Sequence, residues 1–111
     1  MNYELFITLY SEALEYDNLD MYIAERGWQD WMDKHEPSIF LPKIYNLAHG
    51  TLKSNRMEFN LSRASFSRLF RIPLRTVENW ETETDSRREV PQYTKVLIDY
   101  ALFSSDLNGE Q

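Results

Sequence analysis

Apolar residues recur three and four positions apart along most of this chain, and no stretch alternates as a strand would. Leu5, Phe6, Leu9, Tyr10, Ala13 and Leu14 form one such stripe, with acids on the other side, and predict an amphipathic helix over residues 3–16. Asp17 and Asn18 break it. A second helix is expected over residues 19–35, with Ile23, Ala24, Trp28, Trp31 and Met32 inward and Gly27 weakening its middle. Glu36-Pro37-Ser38 reads as a linker, because the residue before a proline is pushed out of the helical region. Pro42 can open a third helix carrying Ile44, Leu47, Ala48, Thr51 and Leu52, which either stops at Gly50 or continues to about residue 59. Residues 84–89 form a polar loop. Pro91 then opens a last helix in which Tyr93, Val96, Leu97, Tyr100 and Phe103 close the core, and the tail from residue 104 frays.

Between these lies the stretch from Leu61 to Glu81, which reads as two short helices around a tight turn. The first covers residues 63–70, capped by Ser62, with Phe66, Leu69 and Phe70 sharing a face. Arg71, Ile72 and Pro73 interrupt the pattern, and a proline costs little at the start of a helix, where its missing amide hydrogen has no partner to lose. The second helix begins at Leu74 and turns Val77 and Trp80 inward, while Arg75 and Asn79 point nearly the opposite way. A short helix, a three-residue turn and a helix with polar groups outward is the layout of a helix-turn-helix DNA reader.

At these residues the chain resembles the phage-repressor-like (Xre-type) family of bacterial DNA-binding regulators, over roughly residues 52–103. The family's small residue inside the first helix corresponds to Ser67, its aliphatic turn residue to Ile72, its buried recognition-helix residue to Val77, and its closing Trp-Glu to Trp80 and Glu81. One departure is Arg71, at a turn position often held by glycine. A left-handed backbone there costs a non-glycine residue about 1 kcal/mol. The resemblance implies phosphate contacts from Arg63 and Thr76, at the starts of the two helices, where unpaired amides favour anions.

Composition narrows the function classes. The 111 residues suit one small domain, or a domain with an appendage, and 42% apolar residues are enough for a packed core. With no cysteine, disulfides and thiolate metal sites are excluded, and a cytoplasmic protein is expected. No apolar run approaches the roughly 20 residues needed to cross a bilayer, and the N-terminus has no basic cluster of the secretory kind. His35 and His49 have no carboxylate at ligand spacing, and there is no phosphate-binding glycine loop or nucleophile motif, so neither an enzyme nor a cofactor is expected.

A net charge of −6 argues against nucleic acid until its distribution is read. Residues 1–40 hold two basic side chains against nine acidic ones, a net of −7; residues 41–80 hold seven against two, a net of +5 centred on the helical pair.

The expectation is therefore an all-α fold. Residues 1–40 form an acidic helical extension for interaction or dimerisation, residues 41–104 a helix-turn-helix DNA-binding domain, and residues 105–111 a disordered tail. The expected function is sequence-specific binding of double-stranded DNA by a homodimeric transcription regulator, since paired recognition helices meet major grooves about 34 Å apart. Arg75, Asn79 and Leu74 are the base-reading candidates: arginine matches guanine, asparagine matches adenine, and leucine can touch a thymine methyl. Arg68, Arg71, Arg87 and Arg88 join Arg63 and Thr76 as phosphate-binding candidates. The competing expectation is a protein-interaction module, antitoxin-like or DNA-mimicking, in which the helical pair is a scaffold and residues 1–40 bind a protein partner.

Overall fold

A computed structural model describes residues 1–82 and 89–108. Seven α-helices account for most of them: α1 (Tyr3–Ala13), α2 (Leu19–Ala24), α3 (Pro37–His49), α4 (Leu52–Glu58), α5 (Arg63–Phe70), α6 (Leu74–Glu81) and α7 (Gln92–Asn108). No strand occurs among the described residues, and none of the helices is long and apolar enough to cross a membrane.

Two apolar clusters hold the helices together. The first joins Phe6, Leu9, Tyr10 and Ala13 of α1 to Tyr22 of α2, to Leu41, Ile44, Tyr45 and Leu47 of α3, and to Val96 and Phe103 of α7. The second joins Leu52 of α4, Phe66 of α5 and Val77 of α6 to Ile98 and Leu102 of α7. Phe6, Leu9, Tyr10 and Ala13 of the expected stripe therefore lie inside the first cluster, against α3 and α7, with Leu5 partly buried beside them; Leu14, expected inward, caps α1 and is 45% exposed. Because α7 faces both clusters, two of its sides are buried, and the expected single stripe is replaced by Val96, Ile98, Asp99, Leu102 and Phe103. Tyr93 and Leu97, expected inside, are exposed. The helix continues to Asn108, beyond the point where fraying was expected.

The second predicted helix ends early, at Ala24, with Glu25 as its cap. Arg26 replaces the next turn: its Nε donates to the carbonyl of Tyr22 at 3.1 Å and its Nη1 to Glu12 at 3.0 Å. After Gly27 only a 3₁₀ turn, Asp30–Asp33, remains helical, and Trp28 is exposed. The expected linker at Pro37 is instead the start of α3. Pro37 occupies the first turn, where its missing N–H costs nothing, and Glu36 caps it by accepting from the amide of Ser38. Pro42 consequently sits inside the helix and not at its start.

The break between α3 and α4 comes at Gly50, after which Thr51 and Ser54 form a reciprocal capping box. Gly50 has an ordinary negative φ, yet a Cβ there would strike the Asn55 Oδ1 atom and come within 2.9 Å of both the Asn46 carbonyl and Ser54 Oγ. Gly50→Ala should cost about 1–3 kcal/mol by overpacking. Gly27→Ala, with nothing within 4 Å of the added carbon, serves as the control. Paired thermal melts check the contrast; equal melting temperatures would show that the Gly50 site relaxes freely.

Candidate functional site

The α5–α6 unit is built from local signals. Ser62 caps α5 by accepting from the Ser65 amide at 3.0 Å. Arg71 ends it in the left-handed region, at φ 57° and ψ 39°, the backbone for which glycine is the usual choice. Ser67 then holds the turn, accepting from the amide of Ile72 through its carbonyl at 3.1 Å and donating its hydroxyl to the carbonyl of Ile72 at 2.5 Å. Alanine at position 67 would lose the hydroxyl bond to Ile72. Pro73 directs the chain into α6, and its carbonyl accepts from Thr76 and Val77 at 2.9 and 3.2 Å.

Burial divides α6 into two sides. Val77 is buried, and Trp80 is half-buried against the same cluster. Leu74, Arg75, Glu78 and Asn79 are exposed, and Thr76 is half-buried. On α5, Arg63 and Arg68 are exposed with Arg71 just beyond them, so the structure brings six of the sequence-derived candidates (Leu74, Arg75, Asn79, Arg63, Arg68 and Arg71) to the exposed surface of one helical pair. Arg87 and Arg88 lie outside the described residues. Leu69, expected to share the buried face of Phe66, is 55% exposed, because the short α5 is covered along only a narrow strip.

The sequence reading missed what anchors this surface. Glu81, the last residue of α6, has a side chain only 3% exposed. Its Oε2 accepts from Arg56 Nε at 2.8 Å, and its Oε1 accepts from Arg56 Nη2 at 2.9 Å and from Arg63 Nε at 3.0 Å. Arg56 spends its remaining nitrogen, Nη1, on the Leu61 carbonyl at 2.7 Å. One carboxylate thus ties α6 to α4, α5 and the segment between them. Burial alone would raise the pKa of Glu81; the hydrogen bonds and charges of Arg56 and Arg63 outweigh it and hold the group below the usual carboxylate range. Arg63 is therefore half a structural residue, bound by Nε while its side chain stays 49% exposed. Separations of 25 and 18 residues left no sequence signal for this triad.

A second polar group lies between the two apolar clusters. Asp99 is fully buried and accepts from Tyr10 Oη at 2.7 Å, Lys95 Nζ at 2.8 Å and Asn55 Nδ2 at 3.0 Å. Lys95 also donates to Tyr10 Oη at 2.7 Å and to the Leu47 carbonyl at 2.8 Å, at the end of α3. Desolvation raises the pKa of Asp99, against the lowering effect of Lys95, Tyr10 and Asn55; burial likewise pushes the Tyr10 phenol up. The readable signal was an aspartate inside the apolar run from Val96 to Phe103, four residues after a lysine.

Among the described residues no group of three or more His, Asp or Glu side chains is arranged to hold a metal ion. A surface cavity of about 470 Å³ is lined by residues of α3, α4 and α7, including Lys43, Asn46, Asn55 and Phe103, and by Phe59 and Asn60. No residue of α5 or α6 lines it. Comparison with protein families, characterised proteins and solved structures finds no significant match for this chain.

Proposed function

We propose that the chain binds double-stranded DNA in a sequence-specific manner, as a transcription regulator, with α5 and α6 as a helix-turn-helix and α6 in the major groove. One observation carries the reading. Arg75 and Asn79, whose side chains match the edges of guanine and adenine, stand exposed one turn apart on α6 while Val77 anchors its other side. Leu74, 41% exposed at the start of α6, supplies an apolar contact suited to a thymine methyl. Arg68 and Arg71, with the exposed part of Arg63, suit the flanking phosphates, and Thr76 suits a phosphate at the N-terminus of α6. Glu81 gives this surface a fixed frame, and preorganised donors lose less entropy on binding. A chain without cysteine suits the reducing cytoplasm in which such a regulator would work.

Selection of genomic DNA fragments with the purified protein tests the reading, followed by titrations of the selected site and of random duplex. Arg75→Ala should lose about 1–3 kcal/mol on the selected site and relax preference at one base pair. Arg68→Ala should weaken all sequences alike and lower the salt slope by about one. Failure to enrich any fragment would sink the proposal and favour the protein-interaction alternative. Equal losses on selected and random DNA would remove Arg75 from the base readers.

A further inference from the structure

The cavity of about 470 Å³ between α3, α4 and α7 takes no part in the α5–α6 surface, and its size falls within the roughly 300–1,000 Å³ of small-molecule sites. On α4 its wall is made by Ser54, Asn55 and Glu58, within one helical turn. What these groups offer a ligand follows from the hydrogen bonds they already make. Asn55 is 5% exposed, and its Nδ2 donates to the Leu47 carbonyl at 3.1 Å and to Asp99 Oδ1 at 3.0 Å. Both N–H groups are thereby used, while its Oδ1 accepts no hydrogen bond from the described residues. No fully buried side-chain oxygen among those residues lacks a partner, so Oδ1 opens onto the cavity that Asn55 lines. Ser54 likewise spends its hydroxyl hydrogen on the Thr51 carbonyl at 3.0 Å. Asn55 Oδ1, Ser54 Oγ and the Asn46 carbonyl gather round Gly50, so closely that an added Cβ would strike them. With the Glu58 carboxylate one turn after Ser54, the α4 side chains present acceptors only.

We propose that this cavity binds a guanine base, carried by a nucleoside or a nucleotide. Acceptors on α4 call for a ligand rich in N–H donors. The rest of the lining differs: Lys43 and Asn60 add N–H donors, and Leu47, Phe59 and Phe103 add apolar surface. The ligand therefore carries donors and acceptors together on a flat apolar body. Guanine has donors at N1 and N2 and acceptors at O6 and N7 on one aromatic ring system. Its N1–H and N2–H groups lie side by side, which suits the two oxygens of the Glu58 carboxylate. Phe59, half-buried, offers a ring for stacking. Charge argues against the simpler donor-rich ligand, an organic cation. Of the described residues lining the cavity Lys43 and Glu58 are charged, and their charges cancel, so a neutral base meets no penalty that a cation would meet at Lys43.

Isothermal titration of the full chain with guanosine, without DNA, tests the proposal. Guanosine should bind at one site with a dissociation constant below about 1 mM. Inosine, which lacks the N2 amino group, and adenosine should bind roughly tenfold more weakly. Guanosine monophosphate separates the two sources: tighter binding than guanosine supports a nucleotide, equal or weaker binding a nucleoside, and the base site stands in both cases. Glu58→Gln should weaken guanosine roughly tenfold, through loss of a charge-assisted acceptor. Asn46→Trp should abolish binding by filling the cavity. Glu15→Gln, at an exposed acid outside the cavity, should change nothing. Asn46 and Glu58 are exposed, and circular dichroism confirms that each variant is folded. Four results would overturn the proposal: no binding of guanosine, binding indifferent to Glu58→Gln and Asn46→Trp, adenosine bound as well as guanosine, or tryptamine bound more tightly, which marks a cation site. Because no DNA is present, the outcome is separate from that of the DNA reading.

Discussion

Asp99→Ala should destabilise the fold by about 3–5 kcal/mol, the typical loss when one partner of a buried ion pair is removed. For a domain with about 5–15 kcal/mol in total, that is a large fraction. The carboxylate is fully buried and accepts three hydrogen bonds, from Tyr10, Lys95 and Asn55, which draw α1 and α4 onto α7. Removing it leaves Lys95, whose side chain is 13% exposed, without its counter-ion, and takes the acceptor from Tyr10 Oη. Replacing the pair by apolar residues, Asp99→Leu with Lys95→Met, often restores stability at such sites. Here it should restore only part, because Lys95 also donates to the carbonyls of Leu47 and Ala48, where α3 ends. Urea unfolding of the three proteins measures both effects. A midpoint for Asp99→Ala near that of the wild type would show that water reaches and solvates the site.

How far the sequence could be read depends on how local each determinant is. The α5–turn–α6 unit was legible because its signals lie within a few residues: Ser62 as a cap, Ser67 and Pro73 at the turn, Val77 and Trp80 at helical spacing. Even the awkward position, Arg71, was visible as the place where glycine is usual, and it is left-handed. The second helix was over-extended because periodicity continues through Trp28 and Trp31, whereas the chain leaves the helix at Glu25 and Arg26 turns back onto Tyr22 and Glu12. On α7 a single stripe was sought in a helix that serves two clusters, so Ile98 and Leu102 were missed and Leu97 was misplaced. The contacts that orient the candidate site were illegible for the same reason: Arg56, Arg63 and Glu81 meet only after three helices have packed.

Glu81→Ala is the second change with a large expected effect, again about 3–5 kcal/mol, and its signature separates it from a change at the surface. The side chain of Arg56 is 9% exposed and would keep its charge with no counter-ion, while Arg63, at 49%, could turn to water. Arg63→Ala should therefore cost only about 1 kcal/mol or less, as exposed ion pairs do, since Glu81 keeps both bonds from Arg56. The pH dependence supplies an independent check. A carboxylate whose folded pKa is lowered adds stability that is fully present above its unfolded value, near 4.5, and is lost as pH falls through the lower folded value. Glu81→Gln has no such group to protonate. The stability gap between wild type and Glu81→Gln should thus be widest above pH 4.5 and narrow steadily below it. Thermal melts of both proteins across that range decide the matter. A gap that stays constant would mean that Glu81 acts through shape alone, and that Arg56 and Arg63 do not hold its charge in place.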